Sequence, residues 1–145
     1  MPVHHDDAER WIELGLTVDA GPEQVWHAQA TGAGNSAWFT RCEIEEKVGG
    51  AIRFDFGPAG DSVGEVTEWD PLRRFGYVER DWAGDAPPLT TQITVTDRLD
   101  GHCDVAMVHS LVTDRPDWDT DLEGFEAGWI GHFAVLRSYL RHFAG

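Results

Sequence analysis

The sequence is poor in basic residues and in long apolar runs, and each shortage excludes a class of protein. Lys and Arg together number 11, against 26 Asp and Glu, so the formal net charge is −15. A chain with this charge repels phosphate backbones and anionic lipid, and we therefore expect neither a nucleic-acid partner nor a membrane partner. No uninterrupted apolar run approaches the ~18 residues that indicate a membrane-spanning helix.

Cysteine is equally scarce, since the chain contains only Cys42 and Cys103. Neither lies in a Cys-x-x-Cys motif or beside histidines at zinc-ligand spacing, so the sequence predicts no metal site, and we expect no cofactor. Two cysteines without a disulfide framework fit a reducing compartment, although their spacing does not decide whether they pair. The N-terminus lacks the basic and apolar regions of a signal peptide, and the expected location is cytoplasmic.

What the sequence does contain is the composition of a globular domain with many large rings. A length of 145 residues corresponds to one ordinary domain, in which the polar residues 1–9 are expected to be frayed. Hydrophobic residues make up 41% of the chain, and seven residues are Trp. This many Trp side chains in a small domain favour a roomy apolar interior over a minimal helical bundle.

Alternating apolar residues predict seven β-strands. In the first, Ile12, Leu14, Leu16 and Val18 alternate with polar residues or glycine, which is the period of a strand with one buried face. Gly-Gly, Asp-Pro and Asp-Gly pairs separate several of the others, and links this short indicate antiparallel pairing. The predicted strands cover residues 11–19, 41–48, 51–56, 62–69, 73–80, 89–96 and 103–113.

Two short helices and one long C-terminal helix are also predicted. The first opens at Gly21-Pro22-Glu23, because Pro fits the first helical position. Residues 31–35 interrupt it, and the second covers residues 36–39. A capping box of Thr120 and Glu123 predicts the start of the long helix. Its apolar residues recur at spacings of three and four and form one face: Leu122, Phe125, Trp129, Phe133, Leu136, Leu140 and Phe143.

Three glycines, Gly124, Gly128 and Gly131, lie in the first half of the long helix. Each lowers helix stability by about 1 kcal/mol relative to Ala. Their presence therefore indicates a close approach to a neighbour, or space beside the helix.

These elements together predict an α+β fold. The antiparallel sheet has one apolar face that needs a cover, and the C-terminal helix is the predicted element long enough to supply it. A strongly curved sheet wrapped on this helix leaves a cavity wherever the side chains between them do not meet. The predicted arrangement is a helix grip, with a seven-stranded curved antiparallel sheet, two short helices and a long C-terminal helix.

A series of short motifs supports this fold by resemblance. The motifs are Ala20-Gly21-Pro22-Glu23-Gln24-Val25-Trp26, Trp38-Phe39, Val48-Gly49-Gly50-Ala51-Ile52-Arg53-Phe54, Gly64-Glu65-Val66-Thr67-Glu68-Trp69-Asp70-Pro71, Arg74-Phe75-Gly76-Tyr77, Val105-Ala106-Met107-Val108-His109-Ser110, Gly128-Trp129 and Tyr139-Leu140. Over residues 11–143 the chain resembles the SRPBCC, or START-like, superfamily, and within it the family of activator-of-Hsp90-ATPase homologues. The resemblance implies the fold but no single activity, because this superfamily includes cyclases, lipid carriers, hormone receptors and co-chaperones.

The faces that the strands turn toward the long helix carry the candidate ligand-binding residues. Alternation places aromatic and aliphatic side chains there, together with one phenol and one imidazole. A largely apolar pocket with a few polar groups is typical of a small-molecule site, although a filled core gives the same pattern. The predicted ligand-binding residues are Trp38, Phe54, Tyr77, His109, Trp129 and Phe133. Tyr77 and His109 are the expected polar contacts, and the other four are the expected walls.

One carboxylate is weighed as a further polar group. Strict alternation puts Glu65 on the same strand face as Trp69, which would turn it toward the cavity. An exposed position at the rim is the favoured interpretation, because carboxylates are seldom fully buried.

Three functions remain open at this point. The first is a protein that holds a hydrophobic or aromatic small molecule between the sheet and the C-terminal helix. The second is a polyketide cyclase- or aromatase-like enzyme, in which His109 is the catalytic candidate because an unperturbed imidazole titrates near neutrality. The third, which the resemblance implies, is a co-chaperone-like domain that binds a protein partner, and a homodimer is a related alternative.

Overall fold

Within residues 3–80, 86–113 and 115–142, which the computed structural model describes, the chain forms one antiparallel sheet and three α-helices. The strands are β1 (His4–His5), β2 (Arg10–Val18), β3 (Arg41–Ile44), β4 (Ala51–Asp55), β5 (Asp61–Asp70), β6 (Arg74–Glu79), β7 (Leu89–Asp97) and β8 (Cys103–Leu111). The helices are α1 (Pro22–Ala30), α2 (Gly32–Trp38) and α3 (Asp119–His142), with 3-10 turns at Gly57–Ala59 and Pro116–Trp118.

The sheet is a meander to which the N-terminal strands are added at one side. Its order is β1-β2-β8-β7-β6-β5-β4-β3, and every neighbouring pair is antiparallel. From β3 to β8 each strand pairs with the next one in the chain, as short connections favour. Gly49 and Gly101 in two of these connections have φ of +84° and +90°, a region that glycine enters without a side-chain penalty.

The predicted α+β helix-grip fold is confirmed, and all seven predicted strands are present. An eighth strand, β1, lies in the segment where fraying was expected, because His4 and His5 pair with Trp11 and Arg10. The prediction for β3 was too long. This strand ends at Ile44 because residues 45–50 fold into a turn, which a hydrogen bond from the Gly50 amide to the Lys47 carbonyl closes at 3.0 Å.

The start of α2 corrects a second prediction. The helix begins at Gly32, inside the segment that was expected to interrupt the helices. Thr31 caps it, since its Oγ1 accepts a hydrogen bond from the Gly34 amide at 2.9 Å. A Cβ on Gly34 would lie 1.8 Å from the His27 carbonyl oxygen. This glycine therefore permits close contact between α1 and α2 and does not end a helix.

The long helix α3 begins at Asp119, two residues before the first helical position that the predicted capping box implies, and Thr120 lies within the first turn. The preceding 3-10 turn leads directly into the helix. Asp119 instead accepts hydrogen bonds from Arg10 Nε at 2.6 Å and Arg10 Nη2 at 2.8 Å. This bidentate pair ties the start of α3 to β2. The predicted apolar face is confirmed from Leu122 to Leu140, and Phe143 lies outside the described residues.

The described residues form two hydrophobic core clusters, and α3 contacts both. The main cluster joins the buried face of the sheet and α1 to Phe133, Leu136 and Leu140 of α3. The small cluster consists of Ile12, Leu89, Leu111 and Leu122. Between these contacts Phe125 and Trp129 are only partly buried. Residues 124–132 of α3 therefore span the interval between the two clusters.

Candidate functional site

A cavity of about 340 Å³ lies between the sheet and residues 124–132 of α3, where the two core clusters separate. This volume equals that of about eleven water molecules at ~30 Å³ each, which is room for a molecule of roughly two fused rings. It is at the small end of the range for ligand sites. The lining residues are Phe39, Phe54, Phe56, Gly60, Asp61, Ser62, Tyr77, Glu79, Leu89, His109, Gly124, Phe125, Gly128, Trp129 and His132.

Packed aromatic rings form the apolar side of the cavity. Phe39, directly after α2, lies with its ring centroid 5.0 Å from that of Trp129 and 5.9 Å from that of Phe54. Phe56 extends the row at 6.1 Å from Phe54 and is 42% exposed, which places it at the mouth. Ring pairs at these distances stabilise one another beyond simple area burial. The wall is therefore held in place by its own contacts.

Three polar side chains cross the floor of the cavity in one line. The strand register pairs Tyr77 of β6 with Thr91 of β7, and Thr91 with His109 of β8. Residues directly opposite each other on adjacent strands point to the same face of a sheet. Thr91 Oγ1 lies 2.8 Å from His109 Nδ1. Since a hydroxyl can donate or accept, this hydrogen bond fixes the orientation of the ring in either tautomer.

Burial keeps His109 and Tyr77, the two titratable side chains on the cavity floor, uncharged at neutral pH. Loss of solvation lowers the pKa of His109 to about 4. Burial raises the pKa of Tyr77 well above its ordinary value, the negative charge of Glu79 raises it further, and a hydrogen bond from Thr91 opposes both effects. The cavity floor thus presents a neutral imidazole and a neutral phenol, each of which can hydrogen-bond to a ligand.

Sequence reasoning missed Glu79, the last residue of β6. Its side chain lines the cavity, is 8% exposed, and accepts a hydrogen bond from Ser62 Oγ. Burial raises the pKa of the Glu79 carboxyl, and the Ser62 hydrogen bond offsets part of this rise. A signal was available in the sequence, because Glu79 follows Phe75 and Tyr77 in strict alternation and so belongs to the same inward face.

Of the six predicted ligand-binding residues, four line the cavity and two belong to the hydrophobic core without lining it. The four are Phe54, Tyr77, His109 and Trp129. Trp38 is fixed between the two short helices, since its indole Nε1 donates to the Ala28 carbonyl at 2.8 Å, and the adjacent Phe39 occupies the wall. Phe133 belongs to the main cluster behind Trp129, with their ring centroids 5.9 Å apart.

A β-bulge explains the position of Glu65. The register between β5 and β6 shifts between Val66 and Glu68, so the alternation of faces changes phase there. Trp69, which follows the bulge in the chain, packs against the main cluster. Glu65, which precedes the bulge, is exposed, and its Oε1 lies 3.3 Å from Arg80 Nη1. Glu65 is therefore outside the cavity, in line with the favoured interpretation.

A larger groove of about 720 Å³ lies at the opposite end of β5, β6 and β7. Most of the residues that line it are exposed, among them Asp70, Arg73, Arg74 and Asp97. Five of its eleven lining residues are charged, whereas the smaller cavity under α3 has a wall of packed aromatic rings, so the smaller cavity is the candidate site. Among the described residues, no group of three or more His, Cys, Asp or Glu side chains is arranged to hold a metal ion.

The family model for "Activator of Hsp90 ATPase homolog 1-like protein" matches residues 19–141, which is most of the chain. The chain belongs to this family. No curated protein matches the sequence. In the described part of this member of the Activator of Hsp90 ATPase homolog 1-like family, no helix has both the length and the apolarity needed to cross a membrane.

Solved structures similar to this family member have low sequence identity to it. MLL2253 from Mesorhizobium loti has a TM-score of 0.81 at 20% identity, over 92% of this chain and 98% of its own. DynU16, a protein in the dynemicin biosynthetic locus, has a TM-score of 0.78 at 22% identity, over 95% of this chain and 48% of its own. The Aha1 dimer from Colwellia psychrerythraea has a TM-score of 0.73 at 21% identity, over 93% and 98%. These likenesses show a shared fold.

Proposed function

We propose that this protein binds a small hydrophobic or aromatic molecule in the cavity between the sheet and α3. The observation that carries the proposal is a cavity of about 340 Å³ with a wall of aromatic rings and with Tyr77 and His109 on its floor. Apolar burial, at roughly 25 cal/mol per Å², supplies most of the affinity, and the polar groups orient the ligand. Similarity to DynU16, from a biosynthetic locus, supports a small-molecule ligand.

The neutral naphthalene dye prodan, whose fluorescence rises in apolar surroundings, tests this proposal. Trp129→Ala removes part of the wall, and we expect it to weaken prodan binding about tenfold, because ~50 Å² of lost apolar contact is a little over 1 kcal/mol. Asp97→Asn changes an exposed carboxylate at the end of β7 and serves as the control. Equal prodan affinity in the two folded variants would contradict the proposal.

An acid–base enzyme of the polyketide cyclase type is the second candidate, and the position of His109 favours it. The ring is buried, is oriented by Thr91, and borders open cavity. A pKa of about 4 makes it a weak base at neutral pH, so we rank this function below binding. Native mass spectrometry of protein purified from its own host can identify a bound molecule. Conversion of that molecule by the wild type and not by His109→Gln would support the enzyme.

A protein partner is the third candidate, and the name of the family suggests it. The net charge of −15 would favour a basic surface on such a partner. Pull-down with a chaperone middle domain at low and high salt tests this role. Similarity to an Aha1 dimer makes a homodimer part of the same proposal, which light scattering after size exclusion checks.

A cytoplasmic location also stays a proposal, supported by two free, buried cysteines.

A further inference from the structure

Glu79 is a buried carboxylate at the cavity, and no cationic side chain faces it in the described part of the chain. We propose that the cavity selects aromatic ligands that carry a positively charged amine, or failing that another hydrogen-bond donor, at the end that reaches Glu79. This inference rests on the proposed small-molecule function and adds the ligand's charge to it. It excludes aromatic carboxylates as preferred ligands.

The surroundings of Glu79 leave its charge only partly compensated. The side chain is 8% exposed, and Ser62 Oγ donates a hydrogen bond to Oε2. A buried ionised carboxylate is unfavourable unless an opposite charge and hydrogen bonds accompany it. The raised pKa of Glu79 reflects this shortage, since burial outweighs the Ser62 hydrogen bond. A ligand ammonium group would supply the missing opposite charge.

Two basic side chains adjoin residues of the cavity lining, and each forms an ion pair with a carboxylate other than Glu79. Arg80 follows Glu79 directly, but it points to the other face of the sheet and lies 3.3 Å from Glu65. Arg53 forms an ion pair with Asp61, the second carboxylate of the lining, and so neutralises it at the rim. Glu79 is therefore the lining carboxylate whose negative charge is left for a ligand to compensate.

The remaining titratable groups of the lining do not add positive charge at neutral pH. Burial lowers the pKa of His109 to about 4 and also lowers the pKa of His132. No Lys or Arg belongs to the lining among the described residues. An anionic ligand would meet a carboxylate without a compensating cation. The aromatic wall also favours a cationic ligand over an anionic one, because ring faces attract cations.

Three naphthalene probes of the same ring size and different charge test the inference. Isothermal titration at pH 7 and constant ionic strength compares 2-naphthylmethylamine, 2-naphthylmethanol and 2-naphthoate. We expect the wild type to bind the amine at least about tenfold more tightly than the carboxylate, with the alcohol between them, because only the amine brings a positive charge to Glu79, the alcohol can donate a hydrogen bond without one, and the carboxylate is repelled. Glu79→Gln, which keeps the shape of the side chain, should weaken amine binding by about the same factor.

Glu65→Gln is the matched control. It removes one negative charge from the exposed side of β5, next to Arg80, and should leave all three affinities unchanged. Carboxylate binding as tight as amine binding in the wild type would overturn this inference and leave the proposed function intact. Binding of none of the three probes would overturn both. Persistence of the amine preference in a folded Glu79→Gln protein would overturn the role of Glu79.

Discussion

Residues 124–132 of α3, the cavity segment, lie over open space, whereas residues 133–140, the core segment, lie on a filled interior. Both belong to one apolar repeat with spacings of three and four. In the cavity segment Phe125 and Trp129 are only partly buried. In the core segment Phe133, Leu136 and Leu140 are 5%, 0% and 4% exposed. The same sequence pattern thus accompanies two different kinds of packing.

The difference comes from what the helix carries and from what it faces. The cavity segment contains three glycines, and in the described part of the chain no atom would lie within 4 Å of a Cβ added to any of them. This segment faces the cavity floor formed by Tyr77, Thr91 and His109. The core segment contains no glycine, and its residues Phe133, Leu136 and Leu140 belong to the main cluster. A periodic apolar face therefore seals a core only where both partners supply enough side-chain volume.

The largest effect is expected in the core segment. Leu136→Ala should lower the free energy of unfolding by about 2–5 kcal/mol, because the side chain is fully buried and its removal leaves a cavity. Urea denaturation measures this change. The adjacent Val135 is 48% exposed, and Val135→Ala should stay within about 0.5 kcal/mol of the wild type. If both substitutions cost the same, the core segment is not packed as described.

The polar floor beneath the cavity segment should make the protein sensitive to acid. His109 has a pKa of about 4 in the folded state against an ordinary value of 6.5, so the unfolded chain binds the proton first as pH falls. The free energy of unfolding should therefore decrease by about 3 kcal/mol between pH 6.5 and pH 4. Denaturation curves across this range measure the slope, which His109→Gln should reduce.

Glu79 provides a contrast of opposite sign. Its pKa is raised in the folded state from an ordinary value of 4.5, so the folded protein keeps this proton to higher pH than the unfolded chain does. Its contribution to stability is therefore lost as pH rises from 4.5 through the folded pKa. Glu79→Gln should remove that loss and leave the effect of His109 in place. A pH profile that neither substitution alters would mean that neither side chain is buried.

How much the sequence could predict also differs between the two segments. The side of α3 that faces the sheet follows from residue spacing, because apolar residues three and four positions apart lie on one face of a helix. The existence of space under the cavity segment could be anticipated from its glycines. The identity of the wall could not, since whether Trp38 or Phe39 reaches the cavity depends on where α2 begins and on a hydrogen bond to Ala28.

The carboxylates show the same limit more sharply. Alternation along β6 is regular from Phe75 to Glu79 and would have placed Glu79 inward. Alternation along β5 is broken at the bulge between Val66 and Glu68, so counting back from Trp69 gives the wrong face for Glu65. A bulge inserts one residue without changing the composition of the strand, and for this reason a period-two pattern does not reveal it.

The smallest effects are expected from alanine substitutions at two glycines of the cavity segment. Gly128→Ala and Gly131→Ala should each raise the free energy of unfolding by up to about 1 kcal/mol, because alanine favours the helix and neither new Cβ would meet an atom within 4 Å. Of these two glycines, Gly128 lines the cavity and Gly131 does not. We therefore expect Gly128→Ala alone to weaken prodan binding, because the new methyl group takes up space in the cavity. A loss of about 0.5 kcal/mol of binding free energy corresponds to roughly twofold lower affinity.

This pair separates stability from the use of the cavity. Alanine at both positions should give a more stable helix, so a loss of prodan binding confined to Gly128→Ala would show that the helix gives up stability to keep space for a ligand. Equal weakening by Gly131→Ala would instead place the cavity boundary further along α3.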